Sequence, residues 1–276
     1  PMAVCIGAVV CGAMFGDNLS MISDTTIAAV KTQGCEMKDK FRENLKIALP
    51  AAVITCVILL VIAWMGKPAV MQEYSYNLVR ALPYFAILIA ALAGINVFVV
   101  LSGGLLLCTL IGIFTGSLSI HNLFISMGSG VSGMYETIVV TILATALSAL
   151  IKYNGGFEAI IDFIKKHFHG EKGGQLGIIL ISMMMDIATA NNTVAIVVTA
   201  PIATDIRKEY HVSPQRTASL MDIATCIAQG IIPYGAQLLI AAGIAGVSSI
   251  QIIPYLFYPY LLLVCVLAAV FMGKEK

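Results

Sequence analysis

Residues 15–29 read F-G-D-N-L-S-M-I-S-D-T-T-I-A-A, placing two carboxylates, Asp17 and Asp24, among Asn18, Ser20, Ser23, Thr25 and Thr26. Apolar runs flank the stretch: P-M-A-V-C-I-G-A-V-V-C-G-A-M at 1–14, and A-L-P-A-A-V-I-T-C-V-I-L-L-V-I-A-W-M at 48–65. So much oxygen inside an apolar segment reads as a membrane helix broken in mid-course, because irregular backbone at membrane depth is tolerated only where protein or a wet cavity surrounds it. The whole chain agrees with a membrane setting. Of its 276 residues 59% are hydrophobic and 11% are charged, against about 25% charged in a soluble domain. The apolar stretches are long and lack strand-like alternation, which favours an all-α integral membrane protein over a barrel.

Apolar runs fall at about 2–15, 47–65, 82–95, 97–117, 132–151, 176–204, 217–245 and 252–272. Between them, residues 157–168 place Phe157, Ile160, Ile161, Ile164 and Phe168 opposite Glu158, Asp162, Lys165 and Lys166, the pattern of an amphipathic helix at the membrane interface. The run 176–204 carries the polar tripeptide Asn191, Asn192, Thr193 at its middle. It is one overlong span or a re-entrant hairpin, and loop charges decide, since cytoplasmic loops are enriched in Lys and Arg. The hairpin puts fourteen basic residues inside and leaves Lys67 and Arg80 outside; a span would divide them nine to seven. The hairpin is therefore expected over 174–206, with its N-N-T tip deep in the membrane.

That topology exposes an internal repeat. Ile27-Ala28-Ala29 lies over Ile240-Ala241-Ala242 at an offset of 213, aligning the first break with A-Q-G-I-I-P-Y-G-A-Q at 228–237. Each break is followed by a loop and one clean span, and the charge count gives them opposite directions. Inverted repeats of this kind are a signature of secondary transporters. Residues 1–66 then read as the end of a first repeat. Residues 67–276 read as a second, with the hairpin, a broken helix over 216–246 and a last span over 250–272. The chain opens at Pro1 inside an apolar segment, which is read as the C-terminal portion of a longer protein.

An acid at mid-bilayer is costly unless it pairs, protonates or faces water. The candidates are Asp17, Asp24, Glu136, Asp186 and Asp222. Carboxylate, hydroxyl and carbonyl oxygens suit a hard cation, so Asp17, Asn18, Ser20, Ser23, Asp24 and Thr25 are read as its ligands, with Asp17 and Asp24 carrying the charge. Asp17 acting only as a helix cap is the bland alternative. Asn191, Asn192 and Thr193 join the set as a hairpin tip whose backbone groups need partners, self-capping being their bland reading. Gly230 and Gln237 join it from the second break, while Asp186, Asp222 and Glu136 are secondary candidates. The seven cysteines lack C-x-x-C spacing and read as small hydrophobes. No H-E-x-x-H motif or Ser/His pair lies in the apolar spans, which argues against a membrane enzyme, and no basic run suits nucleic acid.

The motifs G-D-N-L-S-M-I-S-D-T-T (16–26), T-A-N-N-T-V-A-I-V-V-T-A-P-I-A (189–203) and G-I-I-P-Y-G-A-Q (230–237) resemble the NhaC family of Na⁺/H⁺ antiporters over essentially the whole chain. The first is close to the family's G-D-x-x-S-P-x-S-D-T-T, with Met21 where Pro is usual. The resemblance implies two inverted repeats, each with a hairpin and a broken helix, in a multi-pass protein of the bacterial inner membrane exchanging Na⁺ for H⁺. It implies no cofactor beyond the transported ions. The partners expected are the lipid bilayer, a monovalent cation, a proton and the N-terminal repeat of the same protein, with a homodimer as the form of self-association to test. The alternative is a Na⁺-coupled carrier of small organic anions, against which stands the lack of an intramembrane Arg or Lys to pair with the anion.

Overall fold

The computed structural model describes residues 2–65, 78–93, 95–155, 159, 162–163 and 166–272, and among them every regular element is helical. Helix α1 (Met2–Asn18) stops at the polar stretch, and the chain resumes as α2 (Asp24–Gln33). Gly34 ends α2 in the left-handed conformation, φ 65°, where its N–H reaches the Val30 carbonyl; only glycine takes that geometry without a Cβ penalty. Helix α3 (Met37–Met65) follows, then α4 (Leu78–Leu92), α5 (Val97–Phe114) and α6 (Ile120–Tyr153). The expected hairpin is a helix pair, α7 (Gly170–Thr189) and α8 (Asn192–Glu209), packed on each other and joined at Ala190-Asn191. Helix α9 (Pro214–Ile231) and α10 (Ala236–Ala245) are divided at Ile232–Gly235. Helix α11 (Ser249–Ile252), a 3₁₀ turn (Ile253–Tyr255) and α12 (Phe257–Met272) complete the order.

The polar stretch at 34–46 is helical from Met37, because its Lys, Glu and Arg residues are good helix formers and Lys46 pairs with Glu43 three residues earlier at 2.6 Å. The last span is bent by 51° between Ser249–Tyr255 and Phe257–Met272. The interfacial helix expected at 157–168 lies largely outside the described residues.

Among the described residues, two helical segments are long and apolar enough to cross a membrane, Met37–Met65 and Pro214–Gly243, and the bent pair meets the same test together. The described residues fall into two compact units, one drawn from Pro1–Gly66 and Thr141–Lys276, the other from Lys67–Val140. In the smaller unit α4 packs on α5, closely enough at Gly104 that a Cβ there would overlap the Ile87 side chain.

The larger unit is built around α9, in which every residue from Thr217 to Gly230 is buried. Helices α2, α3, α7, α8 and α12 all pack on it. Its surface is therefore protein on all sides, which lets it carry Thr217, Ser219, Asp222, Thr225 and Gln229 without exposing them to an apolar solvent. Helix α1 packs on α10, α12 and α3, and comes so near the 3₁₀ turn at Gly7 that an added Cβ would lie 2.9 Å from the Tyr255 carbonyl oxygen.

Candidate functional site

Three helix interruptions meet in the larger unit. Asp24 is the first residue of α2, and its Oδ2 accepts a 2.6 Å hydrogen bond from the Thr193 hydroxyl, on the first turn of α8. The other carboxylate oxygen accepts from the Thr25 amide, and the Ser23 and Thr25 hydroxyls share a 2.7 Å bond beside it. Two helix N-termini thus share one carboxylate, which their positive dipole ends favour. The second break reaches the same α7–α8 junction. Gln229 donates to the Ala190 carbonyl at 3.2 Å, and Tyr234 donates to the Ile187 carbonyl at 2.7 Å.

Behind this surface lies a buried polar cluster. Lys40, from the second turn of α3, is 1% exposed. Its Nζ lies 2.5 Å from Asp222 Oδ2 and donates to Thr26 Oγ1 at 2.6 Å. Asn44, one turn further along α3, donates to the same Asp222 oxygen at 2.9 Å and to the Asn18 carbonyl at 2.8 Å. Asn18 donates in turn to Tyr258 and Cys226. The cluster ties the end of α1, the start of α2, α3, α9 and α12 together. The carboxamide oxygens of Asn18 and Asn44 are buried within it and have no hydrogen-bond partner.

The residues singled out in the sequence divide between these two places. Asp24, Thr25, Ser23 and Thr193 come together at the junction. Asp17, half-buried at the end of α1, lies within electrostatic reach of Asp24, Asp222 and Lys40. Ser20 Oγ accepts from the Ile22 amide inside the break. Asn191 caps α8 by accepting from the Val194 amide, whereas Asn192 Oδ1 and Gln237 Nε2 are buried without a partner. Gly230 is buried where a Cβ would run into the Met14 side chain, 3.2 Å from Pro259 Cβ. Asp186 is fully buried between α7 and its neighbours, with neither carboxylate oxygen hydrogen-bonded. Glu136 falls on α6 with its side chain outside the described residues. The cap of α2 is Ser23 rather than Asp17.

Sequence reasoning missed Lys40 and Asn44, which read as part of a basic loop. The one available signal was the spacing Lys40-Asn44, a single turn of polar residues leading directly into the apolar stretch of α3. Among the described residues no group of three or more His, Cys, Asp or Glu side chains is placed to hold a metal ion. A cation here would therefore be held by single carboxylates with hydroxyl, amide and carbonyl oxygens, the donor set of a hard ion.

Comparison with known proteins bears on what such a site handles. The sequence profile of the Na⁺/H⁺ antiporter family matches residues 69–274. The malate-2H⁺/Na⁺-lactate antiporter of Bacillus subtilis is 21% identical over 94% of this chain and 62% of its own length. The Na⁺/H⁺ antiporter NhaC of Alkalihalophilus pseudofirmus is 21% identical over 99% of this chain and 67% of its own. NhaC of B. subtilis is 22% identical over 95% and 65%. This chain thus spans about two thirds of the length of these relatives. No solved structure matches it.

Proposed function

Because the chain belongs to the Na⁺/H⁺ antiporter family, and so is a multi-pass protein of the bacterial cell membrane, we propose that it forms the larger part of a secondary transporter exchanging Na⁺ for H⁺. The observation that carries this reading is the Asp24–Thr193 contact, which joins a broken helix to a helix-pair tip through a carboxylate. Asp17 and Asp24 are the acceptors for cation and proton. A proton and a bound Na⁺ each neutralise the same carboxylate charge, so the two compete for one place. If only an occupied site crosses between inward-open and outward-open states, competition alone produces exchange. Ser23, Thr25 and Thr193 complete the oxygen shell from this chain, Asn192 and Gln237 add unpaired buried polar groups at the α7–α8 junction and the second break, and Asp186 and Asp222 are reserve acceptors.

The packing supports an inverted repeat in which α1, α2 and α3 correspond to α9, α10 and α12. Helix α1 packs on α10 as α9 packs on α2. Helix α1 packs on α12 as α9 packs on α3, α1 on α3 as α9 on α12, and α3 and α12 pack on each other. In this reading α7–α8 is the re-entrant hairpin of the second repeat, and the first repeat's counterpart belongs to the N-terminal part of the full-length protein.

A second reading, Na⁺-coupled exchange of small organic anions, is favoured by the similarity to the malate/lactate antiporter. Lys40 supplies the buried cation that the sequence had not offered, but Asp222 already engages it. Full-length protein in liposomes separates the two. Na⁺-driven proton flux without any organic acid supports the first reading, and flux appearing only with malate or lactate supports the second. Within the first, Asp17→Asn and Asp24→Asn should each abolish flux while leaving insertion intact, and Asp24→Glu should keep weak activity with altered pH dependence. Wild-type flux in both Asn variants would move the acceptor elsewhere.

A further inference from the structure

The cluster around Lys40 has the composition of an ion site more than of a structural tether. Asp222 Oδ2 and Thr26 Oγ1 contact the ammonium directly, and the hydrogen-bond network that continues from Asp222 through Asn44 to Asn18 carries three more oxygens, the Asn18 carbonyl and the Asn18 and Asn44 carboxamides. Two of these, the carboxamide oxygens, are buried acceptors with no donor. A cluster whose only task is to hold helices together gains nothing from leaving such acceptors desolvated and unpaired, since each one costs stability. They make sense if a cation can call on them. A half-turn of the Asn44 carboxamide would replace its Nδ2 by its Oδ1 on the Asp222 side, and would free the Asn18 carbonyl at the same time.

We propose that the Lys40 ammonium fills a ready-made monovalent-cation site at Asp222, acting as a tethered ion that keeps a second free cation out. Asp222, Thr26, the Asn18 carbonyl and Asn44 are the ligands of that site, and Lys40 sets the number of cations the protein binds. The lysine is suited to the role by geometry. It reaches the site along a buried stem from α3, so its charge cannot leave the protein as a bound ion can. A net charge of zero at Lys40–Asp222 also lets the pair lie at the centre of the unit without a solvent-exposed partner.

The inference concerns the pairing of Lys40 with Asp222, and its readout is separate from that of the Asp24 junction, so its failure and the failure of the antiport reading are distinguishable. The test is the number of Na⁺ bound per chain, measured by equilibrium dialysis with radioactive sodium on purified full-length protein, choline holding ionic strength constant. Lys40→Met, which keeps the stem and removes the charge, should bind one more Na⁺ than wild type. Adding Asp222→Asn should return the count to the wild-type value. If Lys40→Met is unstable without sodium, its recovery as a monodisperse protein in Na⁺ but not in choline is the same result. A Lys40→Met protein that binds no additional Na⁺, or aggregates equally in both salts while the double variant is monodisperse, overturns the proposal. A wild type that binds no Na⁺ counts against the antiport reading alone, and the gain in Lys40→Met still decides this one.

Discussion

A buried polar residue is informative when removing it leaves its partner stranded. Asn44 satisfies both the Asn18 carbonyl and Asp222, so Asn44→Ala should lower stability by about 1–3 kcal/mol, the cost of leaving buried groups unpaired; thermal unfolding in detergent measures it. Thr193 is different because its partner, Asp24, is exposed. Thr193→Val should leave folding intact and raise the KM for Na⁺ in proton-flux assays about three- to tenfold, the scale of one hydrogen bond of about 0.5–1.5 kcal/mol, while Thr193→Ser should stay close to wild type. At this scale the sequence was readable where acids and hydroxyls were neighbours in the chain, as in Ser23-Asp24-Thr25. It was opaque at Lys40, whose partner lies 182 positions away. A lysine among charged neighbours looks solvated until the fold supplies a buried carboxylate.

Helix interruptions were legible because each combined an apolar segment with Gly, Pro, Asn or Ser at its centre, residues that weaken or cap helices. The α7–α8 junction and the breaks after Asn18 and Ile231 all lie where the polar insertions put them. The start of α3 was not legible, since charged helix formers in its first three turns have the composition of a loop. Contact between elements was not legible either, because close approach depends on which face is small. Gly7 and Gly12 are equivalent as letters, yet a Cβ on Gly7 would press on the Tyr255 backbone and one on Gly12 meets nothing within 4 Å. Gly7→Ala should therefore destabilise by about 1–3 kcal/mol through overpacking. Gly12→Ala should be neutral or gain up to about 1 kcal/mol in helix propensity. Paired melting curves of the two variants of the 276-residue chain test this, and equal losses would contradict the α1 packing.

For the molecule as a whole, the distribution of basic residues leads to the expectation that the α2–α3 connection faces the cytoplasm. Cys35 lies in that connection and reports on it. Burial pushes its thiol above the ordinary range, with Asp39 adding to the effect and Lys40 and Arg207 opposing it. Since the thiolate is the reactive form, a raised pKa means that little of it is present at neutral pH and that labelling accelerates as pH rises toward and past 9. In a variant keeping only Cys35, an impermeant maleimide should label inside-out vesicles at a rate that climbs with pH, and should leave intact cells unlabelled. Labelling of intact cells would reverse the topology. The sequence carried the membrane class and the helical fold. It did not carry the assembly around α9, which depends on long-range pairings that no local pattern encodes.

The order of synthesis bears on how the Lys40–Asp222 pair forms. Lys40 is made 182 residues before its partner, so when the ribosome releases α9 the neutralising ammonium is already in the bilayer on α3. A helix carrying Asp222 along with Thr217, Ser219, Thr225 and Gln229 is a poor substrate for lateral release into lipid by itself. It can instead leave the translocon directly onto α3, trading the channel's water for a waiting counter-charge. The pair that joins α3 to α9 in the folded protein would then also be the contact that receives α9 as it emerges.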